Sequence, residues 1–272
     1  MFEPGHRIAV TVPGYPPYRH ILTALGCEPV LIETSSKNCH ALTGDALLSV
    51  HRKTPLKGVL VGSPANPTGT MMSREALTRL MTAAESEGIR FISDEIYHGL
   101  DYAFPAITAA ELSPRALVIN SFSKYFCMTG WRVGWMVVPE QLVRPIERLQ
   151  QNLSISVPML SQIAAEAAFA GREEMETVKR GYEENRQILI AGLPRAGLSV
   201  SCLRMARSTS MPTFRNSRQT AMISHAICWS RPTLPRRPVS ISIQCAAARS
   251  CDSPTPVRPP RCTTRSRASG DG

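Results

Sequence analysis

The chain predicts an α/β fold, a mostly parallel sheet held between helices in three layers. Three observations carry that expectation. Short apolar runs of strand length alternate with segments of helical periodicity, the pattern of strand–helix–strand units. Gly58-Val59-Leu60-Val61-Gly62, bounded by Ser63-Pro64, reads as a buried strand. Asp94, Lys124 and the turn holding Asn66 each lie just past a predicted strand, and sheets of this class gather ligands at the carboxyl ends of their strands.

Each element has its own signal. Ile8–Val12 is a short apolar strand ending at Pro13-Gly14; Ile21–Leu25 presents a helical face stopped by Gly26, and Pro29–Ile32 is the next strand. After the Gly58–Gly62 strand, Ser73 is placed to cap a helix by accepting from an unpaired backbone amide. The apolar stripe of that helix is Ala76, Leu77, Leu80, Met81 and Ala84, and Gly88 ends it. Arg90–Ser93 leads a strand into Asp94, Leu117–Ile119 leads another into Ser121, and Val133–Val138 is a further strand. Beyond Pro139 the pattern turns helical, with one stripe at Leu142, Val143, Ile146 and Leu149 and another over Gln162–Ala170. Glu173–Ala191 reads as a long polar helix with apolar residues at Met175, Val178, Tyr182 and Leu189, as a connector between two domains would.

At 272 residues, 43% of them hydrophobic, the chain suffices for one large or two ordinary domains with a sizeable core. The net charge of +10 is unevenly placed. Residues 1–198 hold 19 basic and 19 acidic side chains, whereas residues 199–272 hold 12 arginines against Asp252 and Asp271. The excess sits in a tail without aromatic interleaving or a nucleic-acid motif, so no nucleic-acid partner is expected. Met1–His6 is polar and turn-like, which predicts no signal segment there, and no apolar run approaches the length of a membrane span. Cys-x-x-Cys pairs are absent, arguing against a structural zinc site, and the early cysteines fit a reducing cytoplasm.

The residues with chemistry to offer fall in four segments. These are Asn66-Pro67-Thr68-Gly69, Asp94-Glu95-Ile96-Tyr97, Ser121-Phe122-Ser123-Lys124, and Arg132 in Met128-Thr129-Gly130-Trp131-Arg132-Val133-Gly134. A lysine among apolar and serine neighbours, an aspartate at a strand end, an asparagine on a tight turn and an arginine are the parts that hold and tune pyridoxal 5′-phosphate. A carboxylate opposite the ring nitrogen keeps the ring protonated and so makes it an electron sink. A guanidinium grips phosphate through a bidentate fork.

In this order and spacing the segments resemble the class I aminotransferases, fold-type I pyridoxal-phosphate enzymes, closest to the branch whose lysine motif continues Met-Thr-Gly-Trp-Arg-Val-Gly. The resemblance covers roughly residues 1–198. It implies that Lys124 holds the cofactor as a Schiff base and shuttles a proton between Cα and C4′, and that Asp94 pairs with the pyridinium nitrogen. It implies that Asn66 and Tyr97 donate to the phenolate oxygen, and that Arg132 binds the phosphate with hydroxyl support from Ser121 and Ser123. Tyr15, in Val12-Pro13-Gly14-Tyr15-Pro16, matches the aromatic residue that stacks on the pyridine face; Glu95 is assigned to structure, and His98 and Cys127 to no role. The implied organisation is a partial large domain over residues 1–171 and a connecting helix with the start of a small domain over residues 172–198. The implied partners are a small amino acid, a 2-oxo acid and a second copy of the chain. The implied reaction moves an amino group from an L-amino acid, aspartate-like among the candidates, to a 2-oxo acid. A lyase reaction on the same cofactor is the alternative, since fold and cofactor do not set the outcome.

The chain departs from the family pattern at both ends. It is expected to be N-terminally truncated, lacking the arm, the small-residue loop and helix N-terminus that cradle the phosphate, and the tyrosine that reaches the phosphate across the dimer. A helix N-terminus anchors anions, so weak cofactor binding is expected. From about Ser199 the chain is Arg, Ser, Pro, Thr, Ala and Cys without lasting periodicity. That reads either as a disordered basic tail or as a changed reading frame. Codons can be chosen for Arg204 to Arg215 that, read from the third base, give Asp-Gly-Ala-Phe-Tyr-Val-Tyr-Ala-Asp-Ile-Ser, an amphipathic strand. In the same frame Ser250 to Val257 can give Leu-Arg-Phe-Ser-Tyr-Ala-Gly. The small domain is then disrupted and the arginine that clamps the substrate carboxylate is missing, which predicts an impaired catalyst. A non-catalytic remnant is the second reading.

Overall fold

The computed structural model describes residues 1–192 and the pair Gln244–Cys245. The expectations for the rest of residues 199–272, disorder and reading frame included, lie outside the described residues. The elements run β1 (Arg7–Val12), α1 (Pro16–Ala24), β2 (Glu28–Glu33), α2 (Gly44–Lys53), β3 (Gly58–Gly62), α3 (Arg74–Ser86), β4 (Arg90–Asp94), β5 (Leu117–Ser121), β6 (Gly134–Val137), α4 (Glu140–Leu153), α5 (Met159–Ala168), α6 (Arg172–Gly192) and β7 (Gln244–Cys245). They build one sheet in the order β2-β1-β3-β4-β5-β6-β7. Strands β1 to β5 are parallel to their neighbours, β6 returns antiparallel beside β5, and β7 adds two residues parallel to β6. An open sheet edge offers backbone donors and acceptors to any segment, whatever its side-chain pattern.

Successive side chains alternate across the pleat, so each strand feeds two cores. Ile8 and Val10 of β1 pack with Leu22 of α1 and with Cys27. Ala9, between them, faces the opposite way and joins Val59 and Val61 of β3, Leu47 of α2, and Leu77, Leu80, Met81 and Ala84 of α3. The sheet therefore lies between α1 on one face and α2 with α3 on the other. A third cluster, Phe122, Met128, Val133, Val157 and Ala165, ties the β5–β6 connection to α5.

Helix α3 forms where its pattern places it. The Ser73 hydroxyl accepts from the Ala76 amide at 3.3 Å, and Gly88 follows with φ +66°, a left-handed value that glycine adopts without strain. Four elements differ from the sequence expectation. Helix α1 begins at Pro16 rather than Ile21, because two prolines in its first turn preset the helical φ there. Helix α2 was not anticipated; Thr43 caps it, with Asp45 in its first turn and His51, Arg52 and Lys53 in its last, the charge order its dipole favours. Helix α5 starts directly after Pro158, not at Gln162. Helix α4 buries no residue, and Leu149 of its expected apolar stripe is exposed. In α6 the buried side chain is Arg186, held against the ring of Tyr102 at 5.4 Å, while Val178 and Tyr182 are exposed.

Candidate active site

Strands β1, β3, β4 and β5 all end on one edge of the sheet. The chain leaves β1 towards β2 on one side and β3 towards β4 on the other, so the β1–β3 boundary is a topological switch point. The turns after these strands carry Tyr15, Asn66, Tyr97 and Lys124.

Asp94 closes β4 and is paired in register with Gly62 of β3 and Ile119 of β5. The Tyr18 hydroxyl donates to its Oδ2, and the Ile96 amide donates to Oδ1 at 3.2 Å. Burial pushes the Asp94 carboxyl above the usual carboxylate range, against the pull of these two donors and of His98 and Lys124. Tyr18 is itself pushed far above the ordinary phenol range, by burial first and then by the Asp94 charge. The ring of Tyr15 stands edge-on to Tyr18 at 5.2 Å. Lys124 Nζ lies 5.6 Å from the ring centroid of Tyr97, which is only 6% exposed. Tyr15, Tyr18, Asp94, Lys124 and Tyr97 thus form one connected group. Asn66 is half-buried on a turn closed by the Ala65 amide and the Thr70 carbonyl at 2.8 Å, and its side chain makes no hydrogen bond with the described residues.

The β5–β6 connection is fastened from within. The Ser121 hydroxyl donates to the Val133 carbonyl at 3.3 Å and accepts from the Ser123 amide at 3.0 Å. The Thr129 hydroxyl donates to the Ser123 carbonyl at 2.6 Å, and Arg132 Nη1 donates to the Thr129 carbonyl at 2.9 Å. Arg132 adopts φ +55°, a left-handed conformation costing a non-glycine residue about 1–2 kcal/mol. Its Nε is buried with no hydrogen-bond partner among the described residues. An unmatched guanidinium donor is costly and would be satisfied by an anion. Ser121 has committed its hydroxyl locally, whereas Ser123 lines the hollow over Lys124.

That hollow, about 350 Å³, is lined by Tyr97, Tyr102, Ser123, Lys124, Cys127 and Thr129, among others. A larger one of about 690 Å³ shares Tyr102 but not Lys124, and Asp94 and Arg132 line neither. Gly99, with φ +91°, lets the two site turns meet, since a Cβ there would come 2.5 Å from the ring of Tyr125. The Tyr125 hydroxyl donates to Glu176 at 2.6 Å and so fastens the lysine turn to α6. Burial, then Glu176, pushes that phenol up to about 12.

Sequence reasoning missed Tyr18 as the partner of Asp94. The available signal was its position three residues after Tyr15, which sets it in the first turn of α1, its amide donating to the carbonyl of the Tyr15 N-cap at 3.1 Å. It also left His98 without a role, although the ring bridges two site turns.

A model of the family described as "Aminotransferase class I and II" matches residues 1–234. The chain belongs to that family. It is 44% identical over 201 residues to the valine–pyruvate aminotransferase of Mycobacterium tuberculosis, a match spanning 72% of this chain and 51% of that protein. It is 30% identical over 196 residues to an aspartate aminotransferase of Geobacillus stearothermophilus, over 70% of this chain and 49% of that one. A solved aminotransferase structure from Mycobacterium tuberculosis superposes with a TM-score of 0.72 at 42% identity, covering 75% of this chain and 54% of the other. The chain spans about half the length of these relatives. Aminotransferases of this class generally use pyridoxal phosphate. The donor set fits it: an amine on a turn, a buried carboxylate, an amide free to donate, and a buried guanidinium N–H without an acceptor. Among the described residues no helix is long and apolar enough to cross a membrane.

Proposed function

We propose that this chain forms the cofactor-binding part of a pyridoxal-phosphate-dependent aminotransferase that moves an amino group from an L-amino acid to a 2-oxo acid. The observation that carries this reading is the placement of the Lys124 amine over Tyr97, within electrostatic reach of the buried Asp94. When bound, the cofactor supplies an electron sink that makes the amino acid Cα–H acidic. Lys124 Nζ would accept the proton from Cα and return it two bonds away, at C4′. Asp94, oriented by the Tyr18 hydroxyl and the Ile96 amide, holds a proton on the ring nitrogen. Asn66 and Tyr97 donate to the ring oxygen, and Tyr15 covers the ring face. Arg132 and Ser123 bind the phosphate, the Ser121 hydroxyl supporting them by holding the Ser123 amide, and Arg132 Nε, unmatched among the described residues, gains an acceptor.

Residues 1–171 serve as the large-domain part, and α6 leads towards the second domain. A second copy of the chain is the expected partner, and unpaired Cys27, Cys39 and Cys127 suit the cytoplasm. The names of the relatives specify valine with pyruvate at 44% identity and aspartate at 30%, so we take an apolar amino acid as the first donor to test. The decisive experiment does not require turnover. The chain is mixed with pyridoxal phosphate, reduced with borohydride, digested and sequenced by mass spectrometry. We expect the phosphopyridoxyl mass on Lys124 and its loss in Lys124→Ala; a label spread over surface lysines, or none, sinks the proposal.

A further inference from the structure

Glu95 follows Asp94 and its side chain is only 2% exposed. Its Oε1 accepts from the Ser93 hydroxyl at 2.9 Å and from the Ala109 amide at 2.8 Å. Its Oε2 lies 3.4 Å from Nδ1 of His98, whose side chain is 17% exposed. The other ring nitrogen, Nε2, lies 3.0 Å from the carbonyl oxygen of Ser63, the residue that opens the Asn66 turn. A carbonyl only accepts, so Nε2 carries a proton. A neutral imidazole then has a bare lone pair on Nδ1, facing a carboxylate oxygen that is also an acceptor. Two lone pairs opposed in a nearly dry site repel. One proton between Nδ1 and Oε2 removes the conflict, whichever atom holds it.

We propose that His98 is a positioning residue: sharing one proton with Glu95, its ring straps the Ser63 carbonyl, and with it Asn66, to the turn that carries Tyr97. The strap joins the β3 and β4 turns where backbone pairing ends, just past the Ser63 amide's bond to the Asp94 carbonyl at 3.2 Å. The charged groups around it are Glu95 and Asp94 on its own segment. The β3 turn offers Ser63's carbonyl, and Lys124 on the β5–β6 connection acts on Asp94. His98 also favours the ionised form of Asp94. The strap holds while one proton lies between Nδ1 and Oε2, and fails when the ring is left with an acceptor facing an acceptor.

The catalytic meaning of this strap rests on the aminotransferase reading; its existence does not. The test is ¹⁵N NMR of the whole chain between about pH 5 and 9, following the His98 ring nitrogens and the Asn66 side-chain amide. In the wild type the Asn66 signal should move in step with the ring. In Glu95→Gln the new amide can donate to a neutral Nδ1, so Asn66 should hold its acid-side position throughout. In His98→Phe it should be displaced at every pH, and the dissociation constant for pyridoxal phosphate should rise roughly tenfold, as for one lost positioned hydrogen bond. An Asn66 signal indifferent to the ring in the wild type, or a Glu95→Gln variant that titrates like the wild type, overturns the inference. If His98→Phe does not fold, the wild type and Glu95→Gln decide it. If the wild type binds no cofactor, the aminotransferase reading falls while the NMR outcome still decides the strap.

Discussion

Asp94 shows how a binding site and a stable fold pull against each other at one residue. Burial raises its carboxyl pKa despite two hydrogen-bond donors and the pull of His98 and Lys124. A group with a raised folded-state pKa contributes its full stability below its unfolded value and loses that contribution as pH rises through the folded value. Ionised Asp94 therefore costs the fold stability at neutral pH. Asp94→Asn should stabilise the cofactor-free chain at pH 8, with no gain near pH 3, where the carboxyl is protonated in both states. Urea denaturation at both values checks this, and a variant less stable than the wild type at pH 8 contradicts it. The same variant should bind pyridoxal phosphate more weakly. Arg132 belongs with Asp94, since its left-handed backbone and unmatched Nε are costs that an arriving anion would offset.

Among the elements, α3 and α6 respond differently to substitution. Helix α3 is a local pattern made real, so Ser73→Ala should cost about 1 kcal/mol through the lost cap. Leu80→Ala, at a fully buried site, should cost about 2–5 kcal/mol. Chemical denaturation measures both. Helix α6 is held instead by polar side chains: Lys179 reaches Asp101 at 2.7 Å and Glu176 takes the Tyr125 hydroxyl. Burial works to raise the Asp101 carboxyl, but the Lys179 bond and the Ala106 amide outweigh it and hold it below the usual range. A depressed carboxyl stabilises above its unfolded pKa and loses that effect as pH falls through the folded value. Amide exchange in α6 should therefore accelerate below about pH 4, and Lys179→Ala should bring that acceleration to neutral pH, costing about 1–2 kcal/mol for a partly exposed pair. Unchanged exchange in α6 would show that the pair does not hold the helix. The strands and α3 were legible in the sequence because period-two and period-3.6 patterns are local. The start of α1 and the whole of α2 were not, since one begins on prolines and the other buries only Leu47.

For the whole molecule, the face of α4 and α5 carries Leu153, Met159, Leu160, Ile163 and Phe169 exposed, with Ile155 between the helices 81% exposed at φ +61°. A β-branched residue held left-handed in the open is strained. This is the surface we expect a second copy to cover. Sedimentation should show self-association, and Leu160→Asp should reduce it without lowering monomer stability, because that side chain is already in water. The same paired variant and wild-type measurement, read as equal monomers, would remove this face from consideration. The residue types of the site, the sheet class and the family were written in the amino-acid order, because turns, strand ends and spacings are short-range. Which atoms meet was decided only in three dimensions. Tyr18 reaches Asp94 across 76 positions and His98 reaches the Ser63 carbonyl across 35, and no periodicity encodes such pairs. They exist because parallel strands bring distant turns to one edge, where burial makes each unmatched donor or acceptor find a partner.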